Sequence, residues 1–299
     1  MPDARFCVVG RESAFPWREI AEFLAVSSHK DFMNTSRWAA ADCRHLPHFE
    51  RILCAFDVEQ PSPDALGLAN LIAERFGASL ETLYVATGSP AQAILDRAKA
   101  SGCDLIVLGS RSRSDLGWQF RDDIVRDVSA LADCGTLTVH ERDTPPTVER
   151  ILVPVDFGPT TESTLERASA LALRFDAKVQ LLHVVSHQSF DAKTQLESLQ
   201  ERLKLLGMAV DAEIVVASSV AGGIESYNQR AEFDLVVMGS SSSRDPSRLT
   251  RGIIATLRNR VSVPLLSVRT APRQASLACA RPLDPEVVLE PGARAKLSA

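Results

Sequence analysis

Two aspartates and two glycine–serine pairs are the residues of this chain best placed to do chemistry. Asp57 ends the run Arg51-Ile-Leu-Cys-Ala-Phe-Asp57, and Asp156 ends Arg150-Ile-Leu-Val-Pro-Val-Asp156. Gly109-Ser110 ends Asp104-Leu-Ile-Val-Leu-Gly109-Ser110, and Gly239-Ser240 ends Asp234-Leu-Val-Val-Met-Gly239-Ser240. A carboxylate just beyond a buried strand can accept hydrogen bonds from an adenine or a ribose, and a glycine there lets a ligand approach the backbone closely. An aspartate in that position equally suits the cap of the following helix, and residue type alone leaves both roles open.

These runs are copies of one another. From Arg51 the first block returns 99 positions later, carrying with it Leu66 and Leu165, Ala69 and Ala168, Arg75-Phe76 and Arg174-Phe175, and Val85 and Val184. The Asp104 block returns 130 positions later. The chain is therefore a tandem duplication whose copies can be compared. In each copy a short apolar run precedes a stretch with apolar residues three and four apart, and a second apolar run follows: strand, helix, strand, with parallel pairing. Copy 2 reads as strands at Ile151–Val155, Val179–Val185, Val210–Ala217, Leu235–Met238 and Pro264–Val268. Helices are expected from Thr160 or Thr161, at about Ala192–Leu206, after Gly222-Gly223 and from about Gly252. The expected fold is α/β, a doubly wound parallel sheet of order 3-2-1-4-5 in each copy. Copy 1 is shorter by 31 residues between its second strand and its helix at Ala91–Ala100, so it is truncated by one helix and one edge strand. Phe6-Cys-Val-Val9, with a helix over Trp17–Val26, is a candidate to fill that edge.

The expected division is a 1–49 extension, a degenerate domain 1 at 50–141, a Pro-Pro linker at 142–148, a domain 2 at 149–270 and a disordered tail at 271–299. Length and balance fit two soluble domains: 299 residues, 45% hydrophobic and 24% charged. A formal charge of −5 disfavours a nucleic-acid partner. No apolar run approaches the ~20 residues of a membrane span, and no signal pattern opens the chain, so a cytoplasmic location is expected. Six scattered cysteines lack a C-x-x-C pair and suit reduced thiols. Cys43, His45 and His48 supply only three ligands, too few for a closed zinc site, so no metal is expected. Neither a P-loop nor a Gly-x-Gly-x-x-Gly turn is present.

Ile151-Leu-Val-Pro-Val-Asp156-Phe157, Leu181-Leu-His-Val184, the Asp234 block and Val263-Pro-Leu-Leu-Ser-Val268, in this order, resemble the universal stress protein family over most of residues 50–141 and 149–269. The resemblance implies two flavodoxin-like halves and a non-enzymatic role in stress adaptation, with no catalytic residues. It also implies pairing through the fifth strand, here copy against copy as an intramolecular pseudo-dimer, with a homodimer left open and protein partners unspecified. Family members that bind ATP carry a Gly-x2-Gly-x9-Gly-Ser/Thr loop after the fourth strand. Copy 2 aligns Gly239, Ser242, Gly252 and Ile253 with that pattern, so a serine and an isoleucine replace two of its residues. By the resemblance Asp156 and the backbone at Val184, beside Met238, would hold adenosine, while Gly239, Ser242 and Gly252 would cradle phosphates. The N–H groups of Gly252 and Ile253 are expected at a helix start, where they would face an anion. Copy 1 places Ser112 and Asp122-Asp123 in the same loop, and two carboxylates would repel phosphate. ATP is thus expected in the second half only; the alternative is a nucleotide-free interaction module. His183 is expected to be a satisfied core histidine.

Overall fold

The computed structural model describes residues 6–8, 46–57, 62–85, 90–110, 122–140, 146–187, 190–240 and 248–269. Its strands are β1 (Phe6–Val8), β2 (Arg51–Asp57), β3 (Ser79–Val85), β4 (Leu105–Ser110), β5 (Gly135–His140), β6 (Arg150–Pro154), β7 (Lys178–Val185), β8 (Val210–Val216), β9 (Leu235–Ser240) and β10 (Leu265–Arg269). Its helices are α1 (Pro63–Phe76), α2 (Pro90–Ser101), α3 (Asp122–Leu131), α4 (Thr161–Phe175), α5 (Phe190–Leu205), α6 (Val220–Ala231) and α7 (Arg248–Arg258). The helix anticipated at 17–26, the 142–145 part of the linker, Ser242, Cys43, His45 and the 271–299 tail lie outside the described residues.

All ten strands form one sheet in the order β1-β3-β2-β4-β5-β10-β9-β6-β7-β8. The second half runs β8-β7-β6-β9-β10, which is 3-2-1-4-5 in its own numbering, all parallel. The first half follows the same order from β3 to β5. Where the second half has β8, the first has β1, paired antiparallel to β3 through Phe6↔Val85, Cys7↔Tyr84 and Val8↔Leu83. The halves meet at the fifth strands, where β10 lies antiparallel to β5 with Leu266 opposite Leu137. Among the described residues no helix is long and apolar enough to cross a membrane.

Local chemistry explains the boundaries. Pro63 opens α1 behind Ser62, whose Oγ accepts from the Ala65 N–H at 3.3 Å, and Gly77 closes it in the left-handed region at φ 68°. The repeated Asp104 and Asp234 have a shared duty. Asp104 Oδ2 accepts from the Glu50 and Arg51 N–H groups at 2.7 and 2.8 Å, and Asp234 Oδ2 accepts from those of Glu149 and Arg150 at 2.9 and 2.8 Å. Each aspartate therefore ties the start of its half's first strand to the start of its fourth, fixing the register of the pair on which the ligand-side strand ends depend.

One face of the sheet carries a continuous core shared by both halves, built from α1, α4 and α5; the other carries two separate cores. On the shared face α1 and α4 pack about an approximate two-fold axis. The Arg75 guanidinium lies 5.6 Å from the Phe175 ring centroid, and that of Arg174 lies 5.3 Å from the Phe76 centroid. Arg-Phe thus recurs in the sequence because each half's arginine covers the other half's ring. Arg269 extends the exchange: its guanidinium donates to the Ser129 and Ala130 carbonyls, with Nη2 2.8 Å from the latter, satisfying the C-terminal end of α3 in the opposite half.

Candidate functional site

The carboxyl ends of β6, β7 and β9 surround the point where the second half's strand order reverses. A cleft opens there, about 590 Å³ when the open solvent at its mouth is included. Asp156, Val184, Met238, Gly239 and Ile253 line it, so five of the seven residues singled out by sequence converge. Thr160, Thr161, Thr164, His183, Val220 and Ile224 complete much of the wall and were not assigned to the site by sequence. Three threonines within five positions after the first strand, against Ala65 at the copy 1 position of Thr164, were the available signal.

Asp156 orders the turn that leads from β6 into α4. Its Oδ1 accepts from the Gly158 N–H at 2.9 Å and from Thr161 Oγ1 at 3.3 Å, folding the turn that leads into α4. Phe157, at φ 58°, takes the left-handed conformation this turn requires. Thr160 occupies the N-cap position of α4 without a side-chain capping bond. With Oδ1 engaged, Oδ2 remains the acceptor free to meet a ligand donor at the cleft. His183 is held from behind: its Nδ1 lies 2.7 Å from the Val155 carbonyl oxygen, so Nδ1 carries the proton and donates, and its ring packs 4.5 Å from that of Phe157. It is a partnered, half-buried histidine. In the first half Tyr84 takes this place against Phe56, where burial and neighbouring Cys54 push its phenol above the ordinary value.

Gly239 faces protein. A Cβ built there would fall inside contact distance of Thr160 Oγ1 and 2.7 Å from both Thr160 Cβ and Thr164 Oγ1. Gly109 repeats this against Ser62, with Ser62 Oγ at 2.8 Å. Both glycines admit the first turn of a helix onto the fourth strand, in the half with the acidic loop as well as in the other. Gly223 does the same for α6, since its Cβ would stand 2.6 Å from Val184 Cγ1. Gly222 and Gly223 therefore lie within the first turn, behind the N-cap Ser219, and do not precede the helix.

Gly252 and Ile253 are placed differently from the sequence expectation. Helix α7 begins at Arg248, four residues before Gly252, so their N–H groups belong to the second turn. The unpaired N–H groups of a helix are those of its first turn, and these are not the two residues singled out. A Cβ at Gly252 would meet nothing within 4 Å, and Gly252 is exposed and outside the cleft lining. Glycine in mid-helix looks like a start signal because it interrupts the pattern, which is why the boundary was misplaced. Among the described residues no group of three or more His, Cys, Asp or Glu side chains converges as metal ligands would.

The sequence profile of the universal stress protein family matches residues 83–140 and 147–269, well over half of the chain. The chain belongs to this family. Two family segments in one chain agree with the two halves of the sheet. The universal stress protein YxiE of Bacillus subtilis is 43% identical over 64 residues, covering 21% of this chain and 43% of that one. The chain thus spans less than half the length of this curated relative. A putative universal stress protein from Pseudomonas aeruginosa superposes with a TM-score of 0.56 at 17% identity, over 75% of this chain and 94% of that one. A universal stress protein from Archaeoglobus fulgidus gives 0.53 at 16% identity, over 74% and 86%. These two similarities bear on fold alone.

Proposed function

We propose that this universal stress protein binds an adenine nucleotide, ATP being the first candidate, in the cleft of its second half, and acts in stress adaptation through ligand-dependent binding of other proteins rather than by catalysis. The observation that carries the reading is the cleft itself, where Asp156, already ordered through Oδ1, lines the wall together with the apolar Val184 and Met238. An apolar wall suits a purine ring, and one carboxylate oxygen suits the donors of a ribose or an adenine amino group. Family membership supports the stress-related role. The first half, with Asp122 and Asp123 at the start of α3, serves as scaffold and pseudo-dimer partner. The observation favouring a nucleotide-free interaction protein is the placement of Gly252 and Ile253 in the second turn of α7.

Asp156→Asn separates the turn from the ligand contact. The amide oxygen can keep the Gly158 and Thr161 bonds, whereas the second oxygen becomes an NH₂ donor. The unliganded melting temperature is expected to stay within about 2 °C of the parent, surface-type changes usually costing under ~0.5 kcal/mol. Affinity for ATP, read by calorimetric titration, is expected to fall roughly 10- to 100-fold, as for loss of a hydrogen bond to a charged group. Unchanged affinity would remove Asp156 from the site.

A further inference from the structure

At the end of the sheet that also carries the cleft, but in the first half, two cysteines stand side by side. Cys103 follows the end of α2 and precedes β4; Cys134 follows α3 and precedes β5, the neighbouring strand. Their sulfur atoms are 3.7 Å apart, in van der Waals contact, and neither is in a disulfide. Cys103 is buried and Cys134 is half-buried, so an oxidant can reach one of the two. The 130-residue offset puts Phe233 and Pro264 at the matching positions of the second half, so the pair is a feature of the first half alone. Neither serves the nucleotide reading, and the fold does not require a thiol at either place.

We propose that Cys103 and Cys134 form a reversible dithiol–disulfide switch that responds to hydroperoxides. Cys134 is the attacking residue. It is the more exposed of the two, and at 3.7 Å a Cys103 thiol can donate to a Cys134 thiolate, which holds Cys134 below the ordinary cysteine value, while that contact and burial push Cys103 up. The Cys134 thiolate, its proton lost to solvent, attacks one oxygen of the hydroperoxide: an S–O bond forms and the O–O bond breaks. The departing hydroxide or alkoxide takes up a proton and leaves as water or alcohol. Cys103 then attacks the Cys134 sulfenic acid, forming the S–S bond, and its proton leaves with the sulfenic oxygen as a second water. Two thiols lose two electrons and the hydroperoxide gains them. A cellular thiol reductant would reverse the reaction through a mixed disulfide.

Closing this bond ties the starts of β4 and β5 together across α3, the helix whose C-terminal carbonyls receive Arg269 from the other half. Arg167 brings the second half still closer. It leaves α4, stacks 4.3 Å from the Phe49 ring centroid, and lies where Asp104 and Cys134 favour its charge against the burial that disfavours it. The oxidised pair would therefore stiffen the first half at the seam between the halves. Cys54, in the core on the other face of the sheet, is unsuited to such chemistry: it is fully buried, and burial pushes its thiol far above the ordinary value.

The test uses the full-length protein, reduced, then treated with hydrogen peroxide, alkylated and mapped by mass spectrometry. Two of the six thiols are expected to disappear into a single cross-linked peptide joining Cys103 to Cys134 within one chain. The melting temperature should rise by roughly 5 °C and return to its starting value with dithiothreitol, because the cross-link closes a long loop. Cys134→Ser and Cys103→Ala, each melting near the reduced parent, should lose both the cross-link and the rise. Equal alkylation of Cys103 and Cys134 before and after peroxide would overturn the proposal. So would a cross-link to Cys7, Cys43, Cys279 or a second chain, or a reversible rise that survives in either variant.

Discussion

Gly239→Val is expected to lower folding stability by about 3 kcal/mol whether or not nucleotide is present, as overpacking of a filled site does. The added branches would run into Thr160 and Thr164 at the start of α4. Thr160 is β-branched and stiff at χ1, so it cannot swing aside cheaply. The symmetrical change Gly109→Ala should cost about 2 kcal/mol by the same mechanism. There the obstruction is Ser62, so Ser62→Gly should recover most of the loss, minus a few tenths of a kcal/mol for the weakened cap. Urea melts of the two single variants and the double variant measure this directly. If Gly239→Val melted with the parent, the repeated glycine would owe its place to a ligand and not to helix packing.

Leu266→Ala is expected to cost about 2–5 kcal/mol, the range for a truncated buried leucine. Leu266 and Leu137 are both almost fully buried and stand opposite each other where β10 meets β5. They join the two halves within the one core that spans them. A double-mutant cycle with Leu137→Ala should show a coupling of roughly 1 kcal/mol, because neighbours in contact do not add. Denaturant unfolding should stay a single transition for the parent, since the shared face leaves neither half with a core of its own there. Two separated transitions in the parent would argue that the halves fold independently and that the junction is a passive contact.

Much of this was written in the sequence. The order of strands and helices could be read because each buried run is short and continuous, and because duplication offered every element twice. The loss of one unit from copy 1 showed as a change of offset from 99 to 130. What could not be read is what the repeated polar residues touch. Asp104 and Asp234 bond to backbone more than fifty and eighty residues away. Arg75 and Arg174 each reach a ring in the opposite copy, and no local pattern announces a contact across 99 positions. Repetition marked these residues; only the fold says why they repeat.

The candidate site divides in the same way. Asp156, Val184 and Met238 were legible because strand ends at the reversal of strand order form a cleft in any sheet of this class. Gly239 was assigned to the ligand because glycine reads equally as room for a phosphate or room for a helix, and the structure gives that room to Thr160 and Thr164. The start of α7 was misplaced because Gly252 breaks the helical pattern without ending the helix. The threonines were not assigned to the cleft because they lie at a helix start, where a hydroxyl is ordinary. The site that results is richer in hydroxyl groups, and less dependent on a glycine loop, than the sequence suggested.

The central claim is that the second half holds an adenine nucleotide, and the most direct measurement is of what the protein already carries. Freshly purified protein, freed of unbound small molecules and then denatured, should release ATP, ADP or AMP in the mass spectrum, in an amount approaching one per chain. Protein that arrives empty should show a saturable rise in melting temperature with millimolar ATP and Mg²⁺, amounting to about 1.4 kcal/mol of stabilisation at ten times the dissociation constant. Neither a released adenine nucleotide nor a shift on addition of ATP would contradict the account and leave the fold as an interaction scaffold alone.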